Sequence, residues 1–205
     1  MSGWAQPAYE KSVFINCPFD PQFQDLLLAI VFTVSAHGLV PRSARETDGS
    51  PEPRFSRILR TMSESKYSIH DLSRFTGEGV DNHSRFNMPL ELGMACALRF
   101  ERESSDRQHN WLVLVPEGFS YLKFVSDLAG FDPGMHSYSV ESVIREVAAW
   151  LRLQKDAIDP APSALRIHRE FAAFRSQVAE LRAEALEKET WADLLLAAYR
   201  TVPAP

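Results

Sequence analysis

The chain predicts an α/β fold, a doubly wound parallel sheet of four or five strands followed by a C-terminal helical extension. Three observations lead there. Short apolar runs, each ended by a proline or a polar residue, alternate with segments of helical period. The connections between them are short, so the order β-α-β-α-β-α-β implies a parallel sheet covered by helices. Beyond the break Pro160-Ala161-Pro162 the pattern is helical only, from Ser163 to Arg200.

The first strand is Val13-Phe14-Ile15-Asn16-Cys17, ended by Pro18. Residues 22–37 form a helix, with Phe23, Leu26, Leu27, Ile30, Val31 and Val34 at helical spacing and Gly38 as its stop. Residues 39–44 read as a second strand, and Pro41 puts it near an edge. Residues 48–53 are a loop, and a second helix follows over 54–65 with Phe55, Ile58, Leu59 and Met62 on one face. Tyr67-Ser68-Ile69-His70-Asp71-Leu72 is the third strand, and residues 75–84 a polar loop.

The next helix opens at Asn87-Met88-Pro89-Leu90-Glu91, where Pro89 suits the first turn because its missing N–H has no partner there to lose. Leu90, Leu92, Met94, Ala95, Cys96, Ala97 and Leu98 make this helix apolar on nearly every face, which predicts that it is largely covered. Residues 101–110 are a charged loop. Trp111-Leu112-Val113-Leu114-Val115 is the clearest buried strand. A short helix over 121–129, a fifth strand over 137–140 and an amphipathic helix over 143–153 complete a domain spanning 11–155; residues 163–200 are the helical extension, bent or paired. The sheet expected is flavodoxin-like.

Composition narrows the function. With 205 residues, 45% hydrophobic and 24% charged, the chain has the make-up of a globular protein. It has no apolar run of membrane-spanning length and its first residues lack a signal-peptide pattern, so a cytoplasmic protein without membrane contact is expected. The net charge of −5 argues against general nucleic-acid binding. Two cysteines, Cys17 and Cys96, support neither a disulfide framework nor a metal site. Neither common Gly-rich phosphate cradle occurs.

Ligands of open parallel sheets bind at the carboxyl ends of the strands. The first strand delivers Asn16, Cys17, Phe19 and Asp20 there; the second Arg42, Arg45 and Glu46; the third His70, Asp71, Ser73 and Arg74; the next helix Asn87 and Glu91; the fourth strand Glu117. Asp71 and Glu91 are the pair of interest, since both face one crevice in this topology. Glu91 lies near the positive end of its helix, which favours the ionised form, and an ionised carboxylate stabilises an oxocarbenium-like sugar centre. Plainer roles are equally consistent with the pattern: a capping box for Glu91 with Asn87 or Met88 at the cap, and a turn with Ser73 for Asp71. His70 alternates to the opposite strand face from Asp71, which suits a structural histidine. The arginines 54, 57 and 60 share one helix face, solvated or in contact with phosphate.

The segment Glu91-Leu92-Gly93-Met94-Ala95-Cys96-Ala97-Leu98 resembles the E-[LI]-G-x-A-x-A-L signature of nucleoside 2-deoxyribosyltransferases and related nucleotide N-glycosidases. Residues 13–19 are similar to their first strand and loop, and residues 67–73 to their strand ending in a ribose-binding Asp. The outline is also similar to Toll/interleukin-1 receptor (TIR) domains, whose enzymes place a catalytic Glu on the helix after a strand and loop and cleave NAD. Uncharacterised bacterial TIR-like proteins, some of them antiphage effectors, carry segments similar to residues 14–20 and 69–74.

The resemblance spans roughly 11–150. It implies N-glycosidic cleavage of a nucleotide, nucleoside or NAD without a cofactor. Glu91 would attack or stabilise C1′ and Asp71 would hold the sugar. Asn16, Phe19 and Asp20 would line the base and sugar, and Arg42, Arg54, Arg85 and Asn87 would contact phosphate or ribose. The transferases carry an Asp-x-Gly-Thr element before the Glu where this chain has Asn87, Met88, Pro89 and Leu90, which leaves a non-catalytic nucleotide-sensing or interaction module as the alternative. The resemblance also implies a homo-oligomer, and the tail an oligomer interface or the dock of a regulatory protein.

Overall fold

The computed structural model describes residues 7–47, 49–74, 86–102, 105–184 and 190–202. The loop expected over 75–84 and the candidate ligand Arg85 lie outside the described residues. Five strands form one sheet: β1 (Ser12–Asn16), β2 (Val40–Arg42), β3 (Tyr67–Asp71), β4 (Asn110–Val115) and β5 (Gly134–Met135). Their order is β2-β1-β3-β4-β5, and every pairing is parallel. This is the flavodoxin-like order expected, with its switch point between β1 and β3. The helices are α1 (Gln24–Ala36), α2 (Arg54–Ser63), α3 (Asn87–Glu101), α4 (Val140–Leu151), α5 (Ala164–Glu184) and α6 (Trp191–Thr201).

Side chains alternate across the sheet, as the period-two geometry of strands requires. Val13, Ile15, Tyr67, Ile69, Leu112 and Leu114 join the core with α1 and α4. Phe14, Trp111, Val113 and Val115 point the other way, toward α2 and α3. The two faces are covered to different depths. On the first, α1 and α4 lie on the sheet, and α5 and α6 pack over α1. Phe32 of α1 stacks on Phe174 with ring centroids 4.9 Å apart and also meets Phe171. Residues 26–34 of α1 are all buried, so the helix that is covered on every side is α1.

On the second face α2, α3 and the segment carrying Tyr121 and Leu128 are the cover, and α3 departs from expectation. It buries Met88, Glu91, Leu92 and Ala95 but leaves Leu90, Gly93, Ala97 and Phe100 in water. Its apolar residues exceed what one sheet face takes up.

The C-terminal extension is part of the core. Ile167, Phe171, Phe174 and Val178 of α5, and Trp191, Leu194, Ala197 and Ala198 of α6, are buried against the rest of the chain. The Trp191 indole Nε1 donates to the Pro41 carbonyl at 3.2 Å and so caps the edge strand β2. The apolar spacing that suggested an oligomer or partner interface is therefore satisfied within the chain. A Thr190–Asp193 capping box starts α6.

Other expectations shift slightly. The fifth strand lies at Gly134–Met135, not over 137–140, because Ser137 and Tyr138 adopt φ of 46° and 55°, which no strand accommodates. Gly134 is needed there: a Cβ would come 2.9 Å from Leu114 Cδ2 and 3.0 Å from Glu146 Cβ. The segment 121–129 forms two short 3₁₀ turns, Ser120–Lys123 and Ser126–Leu128, in place of one helix. Gly38 ends α1 with φ of 70°, as expected.

Phe174→Ala is expected to lower unfolding stability by about 3–5 kcal/mol in urea titration, because it opens a cavity where α1 and α5 meet. A loss below about 1 kcal/mol would show that the tail contributes little to the fold.

Candidate functional site

At the carboxyl ends of β1 and β3, these two strands and helix α3 meet through one side chain. The Asn16 amide Nδ2 donates to the Met88 carbonyl in the first turn of α3 at 3.1 Å and to His70 Nδ1 at 3.0 Å. Asn16 is 2% exposed, so neither bond competes with solvent. It acts as a clamp that fixes the start of α3, and hence Glu91, against the sheet.

The clamp is the end of a longer buried relay. His70 Nε2 lies 2.8 Å from Ser68 Oγ, which lies 2.8 Å from His109 Nε2, and His109 Nδ1 lies 2.9 Å from the Ser65 carbonyl. A carbonyl only accepts, so His109 Nδ1 carries the proton. Its Nε2 then accepts from the Ser68 hydroxyl, Ser68 accepts from His70 Nε2–H, and His70 Nδ1 accepts from Asn16. Both imidazoles are neutral. Burial pushes His70 down to about 3, helped by His109, and pushes His109 down to about 4. His70 thus has the structural place expected of it, on the α3 side of the sheet.

Glu91 is the fifth residue of α3 and is 6% exposed. The cap residue is Phe86, with no side-chain cap bond, so Glu91 is in no capping box. No described residue hydrogen-bonds to its carboxylate or pairs with it as an ion bridge. Burial pushes its pKa up to about 7, opposed by the positive charge of Arg54. Desolvation therefore outweighs the helix dipole that suggested an ionised group.

Asp71 is fully buried. Its Oδ1 accepts from the Ser73 N–H at 2.8 Å, and its Oδ2 faces His136 Nε2 at 3.0 Å. The turn with Ser73 is thus present, together with a histidine that the sequence did not single out. His136 Nδ1 accepts from the Tyr138 N–H at 3.0 Å, so its proton sits on Nε2, toward Asp71 and the Ser73 hydroxyl. The two left-handed residues after His136 hold this geometry, a strained backbone of the kind found beside functional sites.

Cys17 is where these charges converge. Its thiol is pushed well up by burial, then by the nearby carboxylates of Asp71, Glu91 and Asp20, with Arg45 opposing. The charges of Asp71, Glu91 and Asp20 all act on this thiol at the end of β1. Asp20 accepts from the Phe23 N–H at 3.1 Å and forms a two-pronged ion pair with Arg74, at 2.9 and 3.2 Å. Phe19 lies under the guanidinium of Arg45, 5.8 Å from its ring centroid.

The arginines separate into two groups. Arg42 is buried at the end of β2, with Nε on both oxygens of Glu46 (2.7 and 2.9 Å) and Nη2 3.6 Å from Glu64. These carboxylates engage Nε and Nη2, while Nη1 is buried without a hydrogen-bond partner. Arg57 donates to the Thr47 carbonyl, and Arg60 pairs with Glu52 at 2.6 Å. Arg54, at the exposed start of α2, is the one of this group whose charge reaches Glu91. Asn87 is exposed in the first turn of α3.

Among the described residues, no group of three or more His, Cys, Asp or Glu is placed to hold a metal ion, and no helix is long and apolar enough to cross a membrane. Neither a known protein-family model nor a curated protein matches the chain.

Two outcomes follow. Ser68→Ala leaves His70 Nε2–H without an acceptor and His109 Nε2 without a donor, and is expected to lower stability by about 2–4 kcal/mol in urea titration; a neutral effect would refute the relay. Glu91→Gln is expected to stabilise the protein above pH 7. The folded carboxyl titrates near 7 against an ordinary 4.5, so the folded state holds the extra proton and wild-type stability falls as pH rises between those values. The full difference is about 3 kcal/mol, reached above pH 7 and absent below pH 4.5. Thermal melts of both proteins across this range measure it, and parallel curves would rule it out.

Proposed function

We propose that this protein cleaves the N-glycosidic bond of a nucleotide, nucleoside or NAD, with Glu91 as the carboxylate acting at C1′. The observation that carries the reading is Glu91 itself, a buried carboxylate with no hydrogen-bond partner among the described residues, held beside the switch point of a parallel sheet. A residue with a strongly shifted pKa at such a place is a candidate for chemistry on general grounds. The helix turn that precedes it is fixed through Met88 by Asn16. The resemblance of residues 91–98 to the deoxyribosyltransferase signature supplies the substrate class.

In this reading the bond between C1′ and the base nitrogen breaks and the base leaves with the electron pair, picking up a proton. The ionised Glu91 stabilises the positive charge at C1′, or bonds to it transiently, until water adds there. Burial strengthens this stabilisation, because the same low-dielectric surroundings that raise the carboxyl pKa amplify its effect on a cation. Arg54, exposed and with its charge felt at Glu91, would receive a phosphate. Asp71 acts through His136 as a positioning residue, since both of its oxygens face protein partners.

The approach of His136 to Asp71 favours a second reading, a nucleotide-binding module without turnover, because the histidine competes with a ribose for that carboxylate.

Incubation with pooled nucleosides, nucleoside phosphates and NAD, followed by mass spectrometry for free base, tests the first reading. Release by the wild type and a loss of about a thousandfold or more in Glu91→Gln is expected. The catalytic form is the ionised one, so kcat/KM should rise with pH through about 7 and level off above it. Turnover retained in Glu91→Gln would refute the assignment, and calorimetric binding of a nucleotide with no base released would establish the second reading.

A further inference from the structure

The outer face of α3 carries an apolar stripe that nothing in the described chain covers. Phe86, Leu90, Gly93, Ala97 and Phe100 follow one another at intervals of four, three, four and three residues. All five are exposed, Phe86 by 71%, Leu90 by 55% and Phe100 by 65%. None carries a charge. Nothing lies within 4 Å of where a Cβ on Gly93 would stand.

The same spacing occurs in Ile167, Phe171, Phe174, Val178 and Leu181 of α5. There it is covered, by α1. A four-three repeat of apolar residues is the seam by which one helix packs along another. The chain therefore holds one such seam closed internally, on α5, and one open, on α3.

We infer that the open seam on α3 pairs with α3 of a second copy of this chain, antiparallel across a two-fold axis. The arrangement of sizes points to a second copy as the occupant. Antiparallel packing about a point between Gly93 and Ala97 sets Gly93 against Ala97 of the other copy, and Leu90 against its Phe100. Small residues then meet at the centre, where the backbones approach, and large ones meet at both ends. A two-fold axis repeats each of these contacts, so the stripe complements itself.

The exposed surface is large enough. Phe86, Leu90 and Phe100, with Gly93 and Ala97 between them, leave roughly 400 Å² of apolar surface in water, taking about 150–250 Å² for an aromatic residue. An apolar patch of this size is often functional. Burying it on two copies removes on the order of 800 Å² of apolar surface, which with a polar rim approaches the size of a specific interface. The pairing is independent of whether the crevice is catalytic.

Analytical ultracentrifugation of the full chain tests the pairing. A species of twice the 23.2 kDa chain mass is expected at micromolar concentration. Gly93→Lys and Ala97→Glu each place like charges near the axis, and each should weaken dimerisation by about a hundredfold or more. Both sites are open to solvent, and lysine and glutamate favour helix, so unchanged circular dichroism is expected. Mixing the two variants should restore a dimer, because the lysine introduced in one copy then faces the glutamate introduced in the other. A wild type that stays monomeric at about 100 μM, well above the concentration an interface of this size needs, would overturn the pairing and assign the stripe to a different protein. A dimer that both substitutions leave intact, or variants that fail to re-pair, would overturn it as well.

Discussion

A parallel sheet has two apolar faces, and both must be covered before its backbone hydrogen bonds are worth keeping. Most of this molecule follows from how unequally the chain meets that demand. One face receives α1 and α4, and then a second layer from α5 and α6. Residues 26–34 of α1 are consequently buried on every side. The other face receives a single layer, α2, α3 and the segment carrying Tyr121 and Leu128. The carboxyl edge of the sheet lies between these unequal covers. Glu91 projects there from the thinner side, and Asp71 and His136 occupy the thicker side, with His136 meeting Phe23 edge-on.

This division sets the electrostatics. The α3 side of β3 is lined by Ser68 and His70, with His109 beside them, groups that would be costly to bury singly. They are tolerated because each donor finds an acceptor, from Ser65 through to Met88. Such a network is directional, since reversing one proton would leave another atom unmatched. Glu91 stands beside this satisfied network and takes no hydrogen bond from a described residue. Neutral histidines supply no charge to hold it ionised, and Arg54 offsets burial only in part. Its high pKa is therefore a property of the surrounding packing rather than of one neighbour.

Most of the fold is legible in the sequence because its signals are local. The apolar runs in residues 13–17, 67–72 and 111–115 and the stops at Pro18 and Gly38 depend on nearby residues alone. Legibility fails where a distant contact decides. Arg42 reads as a phosphate ligand, and only the fold brings Glu64 in beside Glu46 to share its charge. The tail reads as an interface, and only the fold fills it with α1. The uniform apolarity of residues 88–98 reads as a buried helix, yet tertiary packing alone reveals which side has a neighbour. His136 carries no sequence signal, because its meaning comes from Asp71, which is distant in the chain. Glu91 is visible by its isolation in an apolar run, whereas its protonation balance depends on burial that no sequence pattern shows.

The contrast between the two carboxylates bears on what the crevice is for. Asp71 has the Ser73 N–H on Oδ1 and the His136 imidazole 3.0 Å from Oδ2, which takes no hydrogen bond, so its burial is tied to the turn and the histidine beside it. Glu91 has no such account. Replacing it by a neutral residue of similar shape would relieve a penalty of about 3 kcal/mol at alkaline pH, a sizeable share of the stability of an ordinary domain. Structural roles do not require that penalty, because a capping or packing role at this position is filled equally well by glutamine. A role in stabilising positive charge would give the penalty a use, since a carboxylate in low-dielectric surroundings exerts a stronger field on a developing cation. The same poor solvation that makes Glu91 a burden on the folded chain is what such chemistry needs.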